Sequence, residues 1–354
     1  MSYSYTFNIP DLPDPPKPAR YWSHSHDDAQ TAVCEICPQH CRIKPGKAGR
    51  CRVRVNEIGT LTTPYYGKYT SLAIDPIEKK PLYHFYPASQ ILSVGTAGCN
   101  LTCTFCQNWQ ISQGAIPAAN LSFMGPARLA DLAVGRQMPA VAFTYNEPSI
   151  WAEYVIDAAR ECRKRGLRTV AVTNGLIEGK AREDFYAVMD AVNIDLKAFT
   201  DEFYRNLCGG SLNAVKETLR YAVNETDVWV EVTNLIIPGR NDSDGEIAGM
   251  TDWFAETLGA ETPLHFSAFF PTYKLTDAPR TPAETLYRAM GTAQKSGLRY
   301  VYAGNIGGTR GHSTFCPACG EEVISRQGYT TRCRVTDEGK CPKCGASIAG
   351  RYSR

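Results

Sequence analysis

Between Ile91 and Ala303, short β-branched runs alternate with longer amphipathic stretches, and few architectures satisfy that alternation. The runs are ILSVGT (91–96), VAFTYN (141–146), RTVAVTN (168–174), VNIDLK (192–197), VWVEVTNLI (228–236), LHFSAF (264–269) and RYVYA (299–303). Helical segments fit between them. In one, Trp151, Tyr154, Val155, Ala158 and Cys162 recur at helical spacing and Gly166 suits the C-terminal cap, so Cys162 reads as a core residue. About six consecutive βα units make a parallel sheet with crossover helices, which predicts an α/β fold, a partial (β/α)6 TIM-like barrel. Such folds carry chemistry on the loops after the strands. Cys99, Asn146 with Glu147, Thr173 with Asn174, Asp195 with Lys197, and Pro238 with Gly239 stand there, and are expected to converge on one mouth.

Fourteen cysteines constrain the rest of the chain. No apolar run is long enough to span a bilayer, and the opening MSYSYTFNIPDLPDPPKPARYW lacks the basic start and apolar centre of a signal peptide. A cytoplasmic location is therefore expected, where clustered thiols read as metal ligands rather than disulfides. A formal charge of +2 argues against membrane association and strong nucleic-acid binding. The cysteines fall in three groups, with Cys162 and Cys208 outside them. Residues 1–88, with prolines clustered from Pro13 to Pro18, read as a Cys-rich metal-binding extension, residues 89–306 as the barrel, and 307–354 as a metal-stapled tail.

The central group, GCNLTCTFCQNW (98–109), sets Cys99, Cys103 and Cys106 on one loop, where Gly98 and Asn100 suit a tight backbone. Three thiolates on a 4Fe-4S cube leave one iron open to a ligand, whereas electron carriers usually have four cysteines. Zinc would need a fourth ligand that no neighbour supplies. The spacing, with Phe105 before the last cysteine, resembles the radical S-adenosylmethionine (radical SAM) superfamily. That resemblance implies a 4Fe-4S cluster whose open iron is chelated by S-adenosylmethionine. Reductive cleavage then yields a 5′-deoxyadenosyl radical that abstracts hydrogen from substrate.

The same resemblance assigns cofactor contacts. Glu147 in TYNEP matches the glutamate of the superfamily's glycine-glycine-glutamate motif, which meets the methionine ammonium; Tyr145 and Asn146 replace the glycines. A helix-start acid is the alternative reading of Glu147. VTNG, with Thr173 and Asn174, and DLK, with Asp195 and Lys197, resemble elements of pyruvate formate-lyase activating enzymes. Val172 stands where those activases carry an Asp, so their monovalent-cation site does not transfer. Lys197 would neutralise the cofactor carboxylate and Asp195 would orient the sulfonium end. A structural Asp195–Lys197 pair is not expected, since residues two apart on a strand share a face without having to touch. Ile237 in IIPGRND would pack on adenine, and His265 matches an activase position near the cofactor. Phe105 belongs to the same set, while Trp109, Tyr145 and Trp151 read as packing residues. No residue is assigned the chemical step itself.

CPACG and CPKCG, holding Cys316, Cys319, Cys341 and Cys344, are paired knuckles that predict a closed structural zinc ribbon, an auxiliary iron cluster being the alternative, with Cys333 surplus. Cys34, Cys37, Cys41 and Cys51 form another four-sulfur group, for which spacing decides neither zinc nor a second iron-sulfur cluster; His24, His26 and His40 are spare candidates. Taken together, CEICPQHC, GCNLTCTFCQNW, FTYNEPSIW, TNGL, DLKAF and YAGNIGGTRGHSTFCPACG resemble the AmmeMemoRadiSam-system radical SAM enzymes over nearly the whole chain. That family implies association with AMMECR1-domain and Memo-type proteins, and an electron donor such as flavodoxin or ferredoxin. It leaves the substrate open between a small molecule and a residue on a protein partner. Activation of a glycyl-radical enzyme is one alternative; a non-catalytic metal-binding or RNA-associated adaptor is another.

Overall fold

Strands covered on both faces must be apolar or internally paired, which is what the central runs supply. The computed structural model describes residues 17–308 and 310–353, so Pro13, Pro15 and Pro16 of the proline cluster lie outside the described residues. Its main element is an eight-stranded sheet: β1 (Ser71–Pro76), β2 (Gln90–Gly95), β3 (Ala140–Phe143), β4 (Arg168–Thr173), β5 (Ala191–Asp195), β6 (Trp229–Ile236), β7 (Leu264–Ala268) and β8 (Val301–Gly304), ordered consecutively. From β2 to β8 all neighbours are parallel. The longest helix between each successive pair is α1 (Pro126–Gly135), α2 (Ala152–Lys164), α3 (Gly179–Tyr186), α4 (Leu212–Asn224), α5 (Asp244–Leu258) and α6 (Ala283–Lys295). The seven expected strands are thus all present, with these six helices between them.

One feature differs from the sequence reading. β1, from the segment assigned to the N-terminal extension, pairs antiparallel with β2, Ser71 opposite Gly95 and Pro76 opposite Gln90. Among the described residues β1 and β8 do not pair, so the sheet is open. β1 escaped notice because SLAIDP is short and ends in proline, which an edge strand tolerates.

Leu92, Val94, Phe143, Ala171, Ile194, Val232 and Phe266 alternate onto the face packed with the helices, and Cys162 of α2 is fully buried there. At the lower end of the other face, Ile91, Ala142, Val170 and Ala191 pack against Ile77, Leu82, Phe85 and Tyr86. That face is otherwise polar and paired: Lys80 Nζ lies 2.6 Å from Asp75, which accepts from Tyr145 Oη at 2.5 Å, and His265 meets Glu231.

Two small antiparallel sheets shape the N-terminal extension: Trp22–His24, Ala32–Cys34 and Arg42–Ile43 in one, Lys17–Pro18, Thr60–Thr63 and Val55–Glu57 in the other. The C-terminal sheet, β9 (Thr314–Phe315), β10 (Glu322–Gln327) and β11 (Thr330–Cys333), docks on the segment leading into β2. Arg326 donates to the Tyr83 carbonyl at 2.6 Å, and His84 Nδ1 lies 2.6 Å from the Ala349 carbonyl. Among the described residues no helix is long and apolar enough to cross a membrane.

Candidate functional site

The loops after β2, β3 and β4 are sewn together by amides. Asn146 accepts from Thr96 N at 3.0 Å and donates to the Gly98 carbonyl at 2.9 Å, fixing the backbone that leads into Cys99. Asn174 donates to Cys99 Sγ at 3.5 Å and to Asn100 Oδ1 at 2.9 Å, and Asn100 donates in turn to the Leu176 carbonyl at 2.7 Å. Leu101 N points at Cys99 Sγ at 3.4 Å. Donors trained on a sulfur favour its thiolate form.

Glu147 lies beneath these amides and is 2% exposed. Its carboxylate accepts from Ser149 N at 2.9 Å, Thr173 Oγ1 at 2.7 Å and Asn174 N at 2.7 Å. The helix-start role is therefore real, and with about four acceptor positions on a carboxylate one is left. Burial outweighs the three donors and pushes this carboxyl above its ordinary range.

Across the mouth, Lys197 Nζ sits 2.8 Å from Asp195 Oδ2. This corrects the expectation that the two need not touch: β5 ends at Asp195, so Lys197 lies beyond the pleat and its long stem turns back. Burial alone would lower the ammonium's pKa, but Asp195 and the sulfurs of Cys103 and Cys208 outweigh it and hold Lys197 well above its ordinary value. Asn241 ties β6 to this corner through the Lys197 carbonyl at 2.8 Å.

Cys208, set aside in the sequence, lies against the cluster loop. Thr102 N donates to its carbonyl at 2.8 Å, Thr104 N donates to the Leu207 carbonyl at 2.9 Å, and its thiol reaches the Cys103 sulfur. That hydrogen bond, helped by Lys197, pulls Cys103 below the ordinary thiol range, while burial pushes Cys99 and Cys106 up. No sequence signal marked Cys208, because an isolated cysteine has no spacing to read. Asn100 was noted only for its backbone; its side chain proves equally placed.

The other expected residues separate. Phe105 is buried against Phe203 at 5.7 Å between ring centroids. Ile237 is fully enclosed, with its N–H donated to Asn241 Oδ1 at 2.7 Å. His265 Nε2 is 2.7 Å from Glu231, which also accepts from the N–H groups of Tyr83 and His84, so this histidine is built into the sheet's interior. Trp151 is buried and Tyr145 reaches into the interior, whereas Trp109 is 37% exposed and stacks on Tyr273.

Of the outer cysteines, Cys316, Cys319, Cys341 and Cys344 have sulfurs all within 4.8 Å of one another, Cys316 to Cys344 at 3.7 Å and Cys319 to Cys341 at 3.8 Å.

Residues 93–252 match the family model of the radical SAM superfamily, a span that contains the three-cysteine loop and the amides around it. An uncharacterized protein of Methanocaldococcus jannaschii is 43% identical over 324 residues, 91% of this chain and 96% of the relative. The chain belongs to the radical SAM superfamily. It is a radical SAM enzyme, and it is similar to pyruvate formate-lyase 1-activating enzyme of Escherichia coli, 25% identical over 221 residues, 58% of this chain and 89% of that one. Among solved structures, a radical SAM methyltransferase from Sphaerobacter thermophilus aligns with a TM-score of 0.48 at 17% identity, over 62% of this chain and 67% of that chain. Radical SAM enzymes require a 4Fe-4S cluster and S-adenosylmethionine, and Cys99, Cys103 and Cys106, with amide donors at Cys99, suit the cluster.

Proposed function

We propose that the chain holds an open-cornered 4Fe-4S cluster on Cys99, Cys103 and Cys106, receives S-adenosylmethionine across the mouth, and directs hydrogen abstraction at a small molecule or a residue of a partner protein. The observation that carries this is the Asn174 side chain, which donates to the Cys99 sulfur while its own N–H rests on Glu147. When bound, cluster and cofactor supply one-electron cleavage of a sulfonium carbon bond, giving a radical able to take hydrogen. The chain's residues hold the parts. Asn146 fixes the loop, and Lys197 presents positive charge both to the thiolates and to an incoming carboxylate. Glu147 keeps one acceptor position for an ammonium group. Cys208 serves as a donor to Cys103, held against the loop by the backbone pairing of Thr102 and Thr104 with residues 207–208. Thr173 orients Glu147, and Asp195 holds Lys197. Ile237 and His265 support the mouth from inside the fold.

Zinc suits the C-terminal knuckles. A tetrahedron with Zn–S bonds of about 2.3 Å has edges of about 3.8 Å, and sulfur separations of 3.7 and 3.8 Å match it. Activation of a glycyl-radical partner is the second reading, favoured by the similarity to the Escherichia coli activase. It would call for a protein substrate and a flavodoxin-type donor.

Anaerobically reconstituted protein given dithionite and S-adenosylmethionine is expected to release 5′-deoxyadenosine, and Cys103→Ala to release none. Equal yields from both would defeat the assignment.

A further inference from the structure

The four N-terminal cysteines enclose a cavity. Cys34, Cys37, Cys41 and Cys51 line it with Arg54 and Asn100. Arg50 N–H donates to Cys41 Sγ at 3.3 Å, and burial pushes the thiols of Cys34, Cys37 and Cys51 up. A donor trained on a sulfur suits a metal-bound thiolate. Arg54 is fully buried, with Nη1 on Glu153 at 2.9 and 3.0 Å, Nη2 on the Arg20 carbonyl and the guanidinium in reach of the Cys34 sulfur; its Nε has no hydrogen-bond partner among the described residues. Histidine does not line this cavity. His40 turns outward to Glu178 at 2.7 Å and His24 packs on Trp22.

Sulfur spacing separates the candidate metals. The C-terminal sulfurs are drawn together within 4.8 Å, as one zinc ion requires, but among the described residues no three N-terminal cysteines form such a group. Nor do Cys99, Cys103 and Cys106, for which a cube of four irons is proposed above. Among the described residues, then, neither of these two sets brings three sulfurs within 4.8 Å of one another as the C-terminal set does.

The two sets are also in contact. Gly98 has φ +88°, and a Cβ there would stand 2.3 Å from the Cys51 carbonyl oxygen and 2.8 Å from Val53, so only glycine lets the loop ahead of Cys99 lie against Cys51. Asn100 spans the gap: its side chain reaches the Cys37 sulfur on one side and lies 4.0 Å from Cys99 Sγ on the other. Gln39 Nε2 clamps the Asn100 carbonyl at 3.1 Å.

We propose that Cys34, Cys37, Cys41 and Cys51 hold a second, fully ligated 4Fe-4S cluster that passes single electrons by way of Asn100 to the radical SAM cluster proposed above. Four cysteines leave no open iron, which fits electron carriage rather than substrate binding. One electron leaves the reduced N-terminal cube and reduces the cube on Cys99, Cys103 and Cys106, with no bond made or broken and no proton moved. An external low-potential one-electron donor restores the first cube. The contact of Gly98 with Cys51 places the two loops side by side.

The full chain, reconstituted anaerobically with iron and sulfide, is expected to carry about eight irons and about one zinc. Cys34→Ser combined with Cys51→Ser is expected to carry about four irons while keeping the S-adenosylmethionine-sensitive electron paramagnetic resonance signal. With a reduced flavodoxin as donor, its 5′-deoxyadenosine formation should slow at least ~10-fold. About four irons with about two zincs in the unaltered chain would overturn the cluster, and that count decides even where the variant fails to fold. An undiminished rate in a folded, four-iron variant would overturn the relay. About eight irons in a chain that releases no 5′-deoxyadenosine would instead sink the radical SAM site reading and leave the second cluster standing.

Discussion

Glu147→Gln tests whether the buried carboxylate is a strut of the site as well as a cofactor contact. Three donors converge on it: Ser149 N and Thr173 Oγ1 on one oxygen and Asn174 N on the other. An amide keeps a single oxygen. Turned toward Ser149, it leaves Asn174 N–H facing an NH2 group; turned toward Asn174, it lets the Thr173 hydroxyl accept but orphans Ser149 N–H. Either orientation strands one buried backbone donor, which costs about 1–3 kcal/mol. Burial has already pushed the carboxyl upward, so removing its charge returns part of that loss. The net expectation is a destabilisation of about 1–2 kcal/mol. Anaerobic urea unfolding without S-adenosylmethionine measures it, as a lower midpoint at unchanged slope. An unchanged midpoint accompanied by weakened S-adenosylmethionine binding would refute the strut and make Glu147 a ligand contact alone.

Cys208→Ala is expected to leave the iron content of the chain unchanged while costing about 1 kcal/mol from the small cavity it opens; loss of the cluster in iron and sulfide analysis would make Cys208 a ligand. His84 couples pH to docking of the C-terminal segment. The Ala349 carbonyl can only accept, so Nδ1 carries the proton and Nε2 accepts from Tyr302 Oη at 2.5 Å, a neutral ring. Burial brings its pKa down from 6.5 to about 4, so the unfolded chain binds the extra proton first. Its contribution is complete above pH 6.5 and is lost as pH falls towards about 4, worth about 3 kcal/mol at ~1.4 kcal/mol per pH unit. Urea midpoints across that window should decline more steeply in the unaltered protein than in His84→Gln, and parallel declines would refute the assignment.

Periodicity made the sheet legible because each of β2 to β8 is a short run enriched in β-branched or aromatic residues, buried and bounded by amphipathic helices. It failed at β1, where SLAIDP carries no such run and is recruited only by pairing with β2. At the site, spacing singled out Cys99, Cys103 and Cys106, since three cysteines on one loop leave a local imprint. Cys208 lies 102 positions beyond Cys106 and reaches the loop only through the backbone pairing of Thr102 and Thr104 with residues 207–208. Asp195 and Lys197 misled for a similar reason: whether neighbours on a strand touch depends on where the strand ends, and β5 ends between them.

The outer cysteine groups mark a further limit of spacing. CPACG and CPKCG shape tight knuckles whose turns fix the sulfur separations, Gly320 N and Gly345 N closing on the carbonyls of Cys316 and Cys341 at 2.9 Å each, so the sequence already contains the geometry. Cys34 to Cys51 contains no such pair of turns. Its sulfurs are positioned by a strand, Ala32–Cys34, by the pairing of Cys34 N with the Cys41 carbonyl at 3.0 Å, and by Gly49, which lies against Cys41. The choice between one ion and a cube follows from these nonlocal placements, and so does the contact of Cys51 with Gly98 that brings one cysteine set against the other. A glycine that looked like a turn residue in front of Cys99 is also the point at which the N-terminal extension is admitted to the site.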